Sequence, residues 1–143
     1  MFIGEYTHSL DTKARLAIPA KFRDDLKSGA VVTRGLDNCL FLFTTKDWGL
    51  LVKKVSELPL GQKDARGFTR SLLGGAMEVK CDSLGRILLP DYLKIYAGLE
   101  KKAVVVGVYN RLEIWDETRW KAYSKQTEKQ VEQMAETIGD LGV

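Results

Sequence analysis

The stretch Asp11-Thr12-Lys13-Ala14-Arg15-Leu16-Ala17-Ile18-Pro19 occurs a second time, seventy-one positions later, as Asp82-Ser83-Leu84-Gly85-Arg86-Ile87-Leu88-Leu89-Pro90. Both copies hold an Asp, a hydroxyl residue, a small residue before Arg, an apolar tripeptide and a Pro. An internal repeat of this kind constrains the architecture before any single element does. The agreement continues outward at an offset of 72. Val32–Asn38 matches Val104–Asn110, Leu40–Phe43 matches Leu112–Trp115, and Trp48 matches Trp120.

Each copy reads as the same succession of elements. Phe2, Gly4, Tyr6, His8 and Leu10 alternate with Glu5, Thr7 and Ser9, the period of two that marks a half-buried strand. Asp11–Ala14 turn the chain, and Arg15–Ile18 return as a second strand with Leu16 and Ile18 inward and Arg15 outward. Pro19 ends that strand and opens a short helix over Ala20–Leu26. Ala30–Thr33 and Cys39–Phe43 form a hairpin about the turn Gly35–Asn38. Thr44 and Asp47 then cap a helix whose stripe is Trp48, Leu51, Val52, Val55 and Leu58, ended by Pro59.

The second copy repeats the plan. Gly75–Cys81 is a strand with Met77, Val79 and Cys81 inward, and after the motif turn Ile87 and Leu89 point in while Arg86 points out. A short helix around Leu93–Gly98, a hairpin and a final helix follow. That last helix is capped by Asp116 and carries the stripe Trp120, Tyr123, Thr127, Val131, Met134 and Ile138. Residues 62–74 have no counterpart and read as a connecting helix with Ala65, Phe68 and Leu72 on one face.

The expected fold is therefore α+β with a mainly β core. Residues 1–60 form a first repeat, 61–74 a connecting helix and 75–143 a second repeat with the C-terminal helix. Units of about 70 residues are marginal alone. Interleaving the strands of both into one pseudo-two-fold β-barrel with flanking helices buries both apolar faces and removes exposed edges.

Composition narrows the function classes. The 143 residues are 45% hydrophobic, as in an ordinary globular domain, and 22 basic against 19 acidic residues give a net charge of +3, which suits a polyanionic partner without requiring one. No apolar run reaches the length of a membrane span, and Met1–Glu5 has neither the basic nor the apolar region of a secretory signal, so a cytoplasmic location is expected. Cys39 and Cys81 lie apart with no CxxC pattern and read as small core residues in a reducing compartment. No nucleophile elbow, zincin or phosphate-loop motif is present. The one histidine, His8, has the inward parity of its strand, and the pairs Asp24-Asp25 and Glu113/Asp116 read as solvated surface. The expectation is a non-enzyme with no cofactor and no small-molecule substrate.

The motif has a chemistry of its own. A turn Asp accepts hydrogen bonds from backbone N–H groups just after it. A small residue before Arg allows a positive φ, freely at Gly85 and less so at Ala14. Arg is then projected from the hairpin tip, where its planar five-donor fork suits phosphate oxygens or a guanine edge, and Lys13 adds a cation in the first copy. Two readings fit the arginines: a pair with Asp that holds the hairpin, or a contact with a polyanion. Duplication on a two-fold surface favours the second.

The motif pair, the segment Asp64-Ala65-Arg66 to Arg70 and the terminal helix resemble the bacterial MraZ family, within the AbrB/SpoVT-like swapped-hairpin fold. The resemblance implies two tandem swapped-hairpin units in one chain and assembly into a ring-shaped, octamer-like homo-oligomer. It further implies sequence-specific binding of double-stranded DNA at repeated promoter boxes. Regulation, typically repression, of the division and cell-wall gene cluster at the nucleoid would follow. The family's basic positions fall on Lys13, Arg15 and Arg86, while Lys21 and Arg23 on the following helix are weaker phosphate contacts or an ordinary solvated face. The chain departs from the pattern at Ala14, where glycine is usual, and at Leu84, where a lysine would match Lys13. The first copy is therefore expected to lead. The rival expectations are an antitoxin-like member of the fold, holding a partner protein through Lys121–Gly142, and a small barrel enzyme.

Overall fold

The structure of the chain, a computed structural model, describes residues 1–139. In the first copy, strands β1 (Phe2–Ser9) and β2 (Arg15–Ala17) flank the motif turn. Helix α1 (Ala20–Arg23), the hairpin β3 (Ala30–Arg34) and β4 (Leu40–Thr44), and helix α2 (Thr45–Ser56) follow. Helix α3 (Lys63–Gly74) leads into the second copy: β5 (Met77–Val79), β6 (Arg86–Leu88), α4 (Asp91–Ala97), β7 (Lys102–Tyr109) and β8 (Leu112–Asp116). Helices α5 (Glu117–Glu128) and α6 (Val131–Ile138) complete it.

Local chemistry accounts for the boundaries. Pro19 and Pro90 precede α1 and α4 in extended conformation, where a missing N–H leaves no ladder bond unmade. The Thr44 hydroxyl accepts from the Asp47 N–H at 3.1 Å and the Asp116 carboxylate from the Arg119 N–H at 3.2 Å, so α2 and α5 carry the caps their sequences advertise. Helix α1 is shorter than the expected Ala20–Leu26. After Arg23 the chain continues in tight turns, Leu26 N–H to Arg23 O and Lys27 N–H to Asp24 O, which still bring Phe22 and Leu26 into the core.

Strand pairing is where the chain departs from a run of local hairpins. The large sheet is antiparallel throughout, in the order β1-β7-β8-β4-β3-β5, and β2 and β6 form a separate antiparallel pair. Exchanging the copies (β1 for β5, β3 for β7, β4 for β8) reverses that order onto itself. The pseudo-two-fold axis is visible in the registers: Leu16 opposes Ile87 with Arg15↔Leu88 and Ala17↔Arg86 about it. In the large sheet Phe41 opposes Glu113 between Leu40↔Ile114 and Leu42↔Leu112. Strand β1 forms no ladder with β2. It pairs over its whole length with β7, from Phe2↔Tyr109 to Ser9↔Lys102, and a bridge between Leu10 and Leu16 joins the two sheets. At Gly107 in the β1–β7 pair a Cβ would lie 2.5 Å from the Ile3 backbone nitrogen, so a side chain there would push the strands apart.

The exchange makes one core from two half-cores. Counterpart residues Leu16 and Ile87, Ile18 and Leu89, and Phe22 and Leu93 are all at most 1% exposed and belong to a single apolar cluster. Each such side chain contributes about 1.5–3 kcal/mol on burial. A smaller cluster of Cys39, Val104, Val106 and Trp115 is covered by α5, with the Trp115 ring 5.2 Å from Trp120 and 4.8 Å from Tyr123. Cys39 is thus a core residue, whereas Cys81 and His8 are half-buried. Val79 and Cys81 pack on the main core as their parity requires. Met77 does not: it stands at the end of a three-residue edge strand and is 42% exposed.

The expected single terminal helix is two. Its apolar stripe is continuous in sequence, but α5 stops at Glu128, and Gln130 (φ −119°, ψ −4°) separates it from α6. Trp120 and Tyr123 have Trp115 beneath them, whereas Val131, Met134 and Ile138 are exposed. Residues 140–142, the end of the segment Lys121–Gly142, lie outside the described residues. Among the described residues no helix is long and apolar enough to cross a membrane.

Candidate nucleic-acid interface

The motif turns are identical devices. In the first, the Asp11 Oδ1 accepts from the backbone N–H of Lys13 and of Arg15, each at 2.9 Å, and Oδ2 accepts from Arg15 Nε at 2.7 Å. In the second, Asp82 Oδ1 accepts from the N–H of Leu84 and Arg86, each at 2.9 Å, and Oδ2 from Arg86 Nε at 2.9 Å. The Ala14 N–H closes on Asp11 O at 3.1 Å and the Gly85 N–H on Asp82 O at 3.0 Å. The backbone N–H of Arg15 is the main cause holding the Asp11 carboxyl below the usual carboxylate range, and that of Arg86 does the same for Asp82. Both turns end in a left-handed residue, Ala14 at φ 61° and Gly85 at φ 76°. A residue with a Cβ costs about 1–2 kcal/mol in that conformation. The network of Asp11 keeps the turn in spite of it.

The turns are fastened to each other's copy. Beyond the β2–β6 ladder, the Ile18 N–H donates to Gly85 O and the Leu89 N–H to Ala14 O, both at 2.9 Å. On the ribbon, Leu16 and Ile87 face the core, so Arg15, Ala17, Arg86 and Leu88 take the outer face. Arg15 spends its Nε on Asp11, and among the described residues its terminal nitrogens have no partner. Arg86 is held from both copies: Nε on Asp82 and Nη1 3.7 Å from Asp11 Oδ2. The two readings of the arginines are therefore compatible. Asp takes the Nε edge of each guanidinium and fixes its direction, and the side chains remain 33% and 27% exposed.

The other sequence-derived candidates divide. Lys13 is exposed at the tip of the first turn and makes no ion pair among the described residues, while its counterpart Leu84 is an exposed apolar side chain. Lys21 lies on α1 with its ammonium 5.4 Å from the Tyr6 ring centre and 5.3 Å from that of Phe22. Arg23 is turned inward: its Nε donates to Ile18 O at 2.8 Å, and its guanidinium occupies the space that a Cβ on Gly85 would need. It braces the second turn from the first copy. No local signal could have shown this, because Gly85 is remote in sequence. Lys80 is a further basic residue at this surface. Together with Lys13 it lines a surface cavity of about 530 Å³ beside the first turn, but its only sequence signal is a lysine next to the motif.

Charge distinguishes the copies further. Asp11–Arg23 carries Lys13, Arg15, Lys21 and Arg23 against Asp11, whereas Asp82–Lys94 carries Arg86 and Lys94 against Asp82 and Asp91. The assembled surface is a two-stranded ribbon with Asp-held guanidinium groups and more positive charge at one end. That combination suits a phosphate-rich groove, since the major groove of DNA admits a two-stranded ribbon and arginine forks match guanine edges.

Comparison with known proteins agrees with the internal repeat. The family model described as "MraZ protein, putative antitoxin-like" matches twice, over residues 1–71 and 72–141. A protein of Alkaliphilus oremlandii named "Transcriptional regulator MraZ" is 45% identical over 143 residues, the full length of both chains. Proteins of the same name from Natranaerobius thermophilus (48% over 143 residues, all of both chains) and Ligilactobacillus salivarius (49% over 141 residues, 99% of each) are similar to the same extent. With two matches of one family model spanning its repeat and full-length relatives at nearly half identity, the chain belongs to the MraZ family.

Proposed function

We propose that this chain is a sequence-specific DNA-binding transcriptional regulator, acting as a repressor of the bacterial division and cell-wall gene cluster. It binds repeated promoter boxes as a ring-shaped, octamer-like homo-oligomer in the cytoplasm, at the nucleoid. The relatives named as transcriptional regulators support the regulatory part of this reading. The observation that carries the DNA contact is the β2–β6 ribbon, on which one Asp-locked network is built twice and aims Arg15 and Arg86 outward. In this reading the two sheets are the walls of one pseudo-two-fold barrel. Residues 1–60 and 75–143 are its repeats, and 61–74 is the connector.

Arg15 reads or clamps DNA from the first turn with Lys13 beside it, Arg86 adds a weaker backbone contact, and Lys21 and Arg23 contribute charge nearby. A net charge of +3 gives little affinity per protomer, so several protomers on successive boxes supply the rest. The test is binding of the purified full chain to a multi-repeat promoter fragment across a salt series. Affinity falls steeply with salt, and Arg15→Ala weakens it far more than the exposed control Lys125→Ala. A folded Arg15→Ala protein that binds like the parent overturns the assignment.

A further inference from the structure

Helix α6 buries none of its described side chains: Val131, Met134 and Ile138, three residues that share one helical face, are 53%, 39% and 64% exposed. Beside that stripe runs an acidic ridge, Glu132 and Glu136, spaced i, i+4. The complement lies elsewhere on the molecule. Between α2 and α3 is an open groove of about 270 Å³, whose apolar lining includes Val55, Leu58, Leu60 and Ala65. Leu58 and Leu60 are 40% and 81% exposed. Along its α3 wall stand Arg66 and Arg70, again spaced i, i+4, and among the described residues neither is in an ion pair.

We propose that the α6 helix of one copy docks in the α2–α3 groove of a second copy, its apolar stripe on Leu58, Leu60 and Ala65, and Glu132 and Glu136 against Arg66 and Arg70. Both charged pairs span about 6 Å along their helices, so helices laid side by side bring two opposite pairs into register. The apolar stripe supplies most of the affinity, because exposed ion pairs contribute little by themselves, and the charges select the partner and fix the register. The two surfaces are different patches of one chain. The contact is therefore head-to-tail and propagates, closing into a ring where the rotation allows. This inference rests on the homo-oligomeric part of the proposed function and names the surfaces that build it.

The test uses the full chain and its mass in solution, by light scattering after size exclusion and by native mass spectrometry. The doublets R66E/R70E and E132R/E136R change exposed or half-exposed side chains, and circular dichroism confirms that each stays folded. Each doublet is expected to fall to a smaller species at a concentration where the parent is assembled. Mixing the two doublets, or combining all four changes in one chain, is expected to restore the parent mass. Doublets that keep the parent mass, or a combination that fails to restore it, overturn the docking while leaving an assembled parent and its DNA binding intact. A parent that is itself monomeric overturns both the docking and the oligomeric part of the function.

Discussion

The two motif turns share a backbone and differ in what surrounds it. Each is closed by the same three bonds from one Asp, yet the first presents Lys13 and an Arg15 whose terminal nitrogens have no partner among the described residues, and the second presents Leu84 and an Arg86 held from both copies. The second turn is also braced by Arg23, whereas the counterpart of Arg23 is Lys94. Duplication therefore preserved the frame and let the ends specialise: one end keeps charge available, and the other uses charge to tie the copies together. Identical geometry does not make equal contributions, because a guanidinium shared between two carboxylates has less left to offer a phosphate.

The largest expected effect tests what the turns have in common. Leu16 and Ile87 meet on the pseudo-two-fold axis and are 0% and 1% exposed, so Leu16→Ala and Ile87→Ala should each cost about 2–5 kcal/mol in chemical denaturation. Unequal costs would show that the core is less symmetric than the registers. Next comes the functional difference. Arg15→Ala should weaken binding to a promoter-repeat fragment about 10- to 100-fold, the range for losing a specific arginine contact, and Arg86→Ala less than about tenfold. An equal or larger loss at Arg86 would reverse the order of the copies.

Smaller effects concern the turn backbones. Gly85→Ala places a Cβ against the Arg23 guanidinium at φ 76° and should cost about 2 kcal/mol, with Arg23 displaced. Ala14→Gly relieves the strain at φ 61° but adds freedom to the unfolded chain, so its gain should stay below about 1 kcal/mol. Denaturation midpoints separate the two. The smallest effect is electrostatic. Asp11 and Asp82 are held below their ordinary values in the folded chain, so they stabilise it above the unfolded carboxylate range. That contribution is lost as pH falls through their lowered values. Denaturation curves from neutral pH to about pH 3 should show this loss, and it should shrink in Asp11→Asn and in Asp82→Asn.

Much of the fold was legible because periodicity is a local signal. The alternation of the motif's apolar stretches placed Leu16, Ile18, Ile87 and Leu89 inward, and each is at most 1% exposed. The Thr44 and Asp116 caps were legible for the same reason. The terminal stripe misled because helical spacing marks an apolar face without stating whether anything lies beneath it. Trp120 has Trp115 beneath it, whereas Val131 is left 53% exposed. In the site, Lys13, Arg15 and Arg86 followed from the motif, but the roles of Arg23 and the cross-copy reach of Arg86 did not, since their partners are remote in sequence.

The repeat, the element order, the Asp-locked turns and the asymmetry of Lys13 against Leu84 are written in the residues alone. The pairing of β1 with β7 and of β2 with β6, the brace of Arg23 on Gly85 and the reach of Arg86 to Asp11 emerge in three dimensions. The physical reason is that an amino acid's pattern states which face must be buried. Which strand buries it is settled by the shape and hydrogen-bonding edges of partners some seventy residues away.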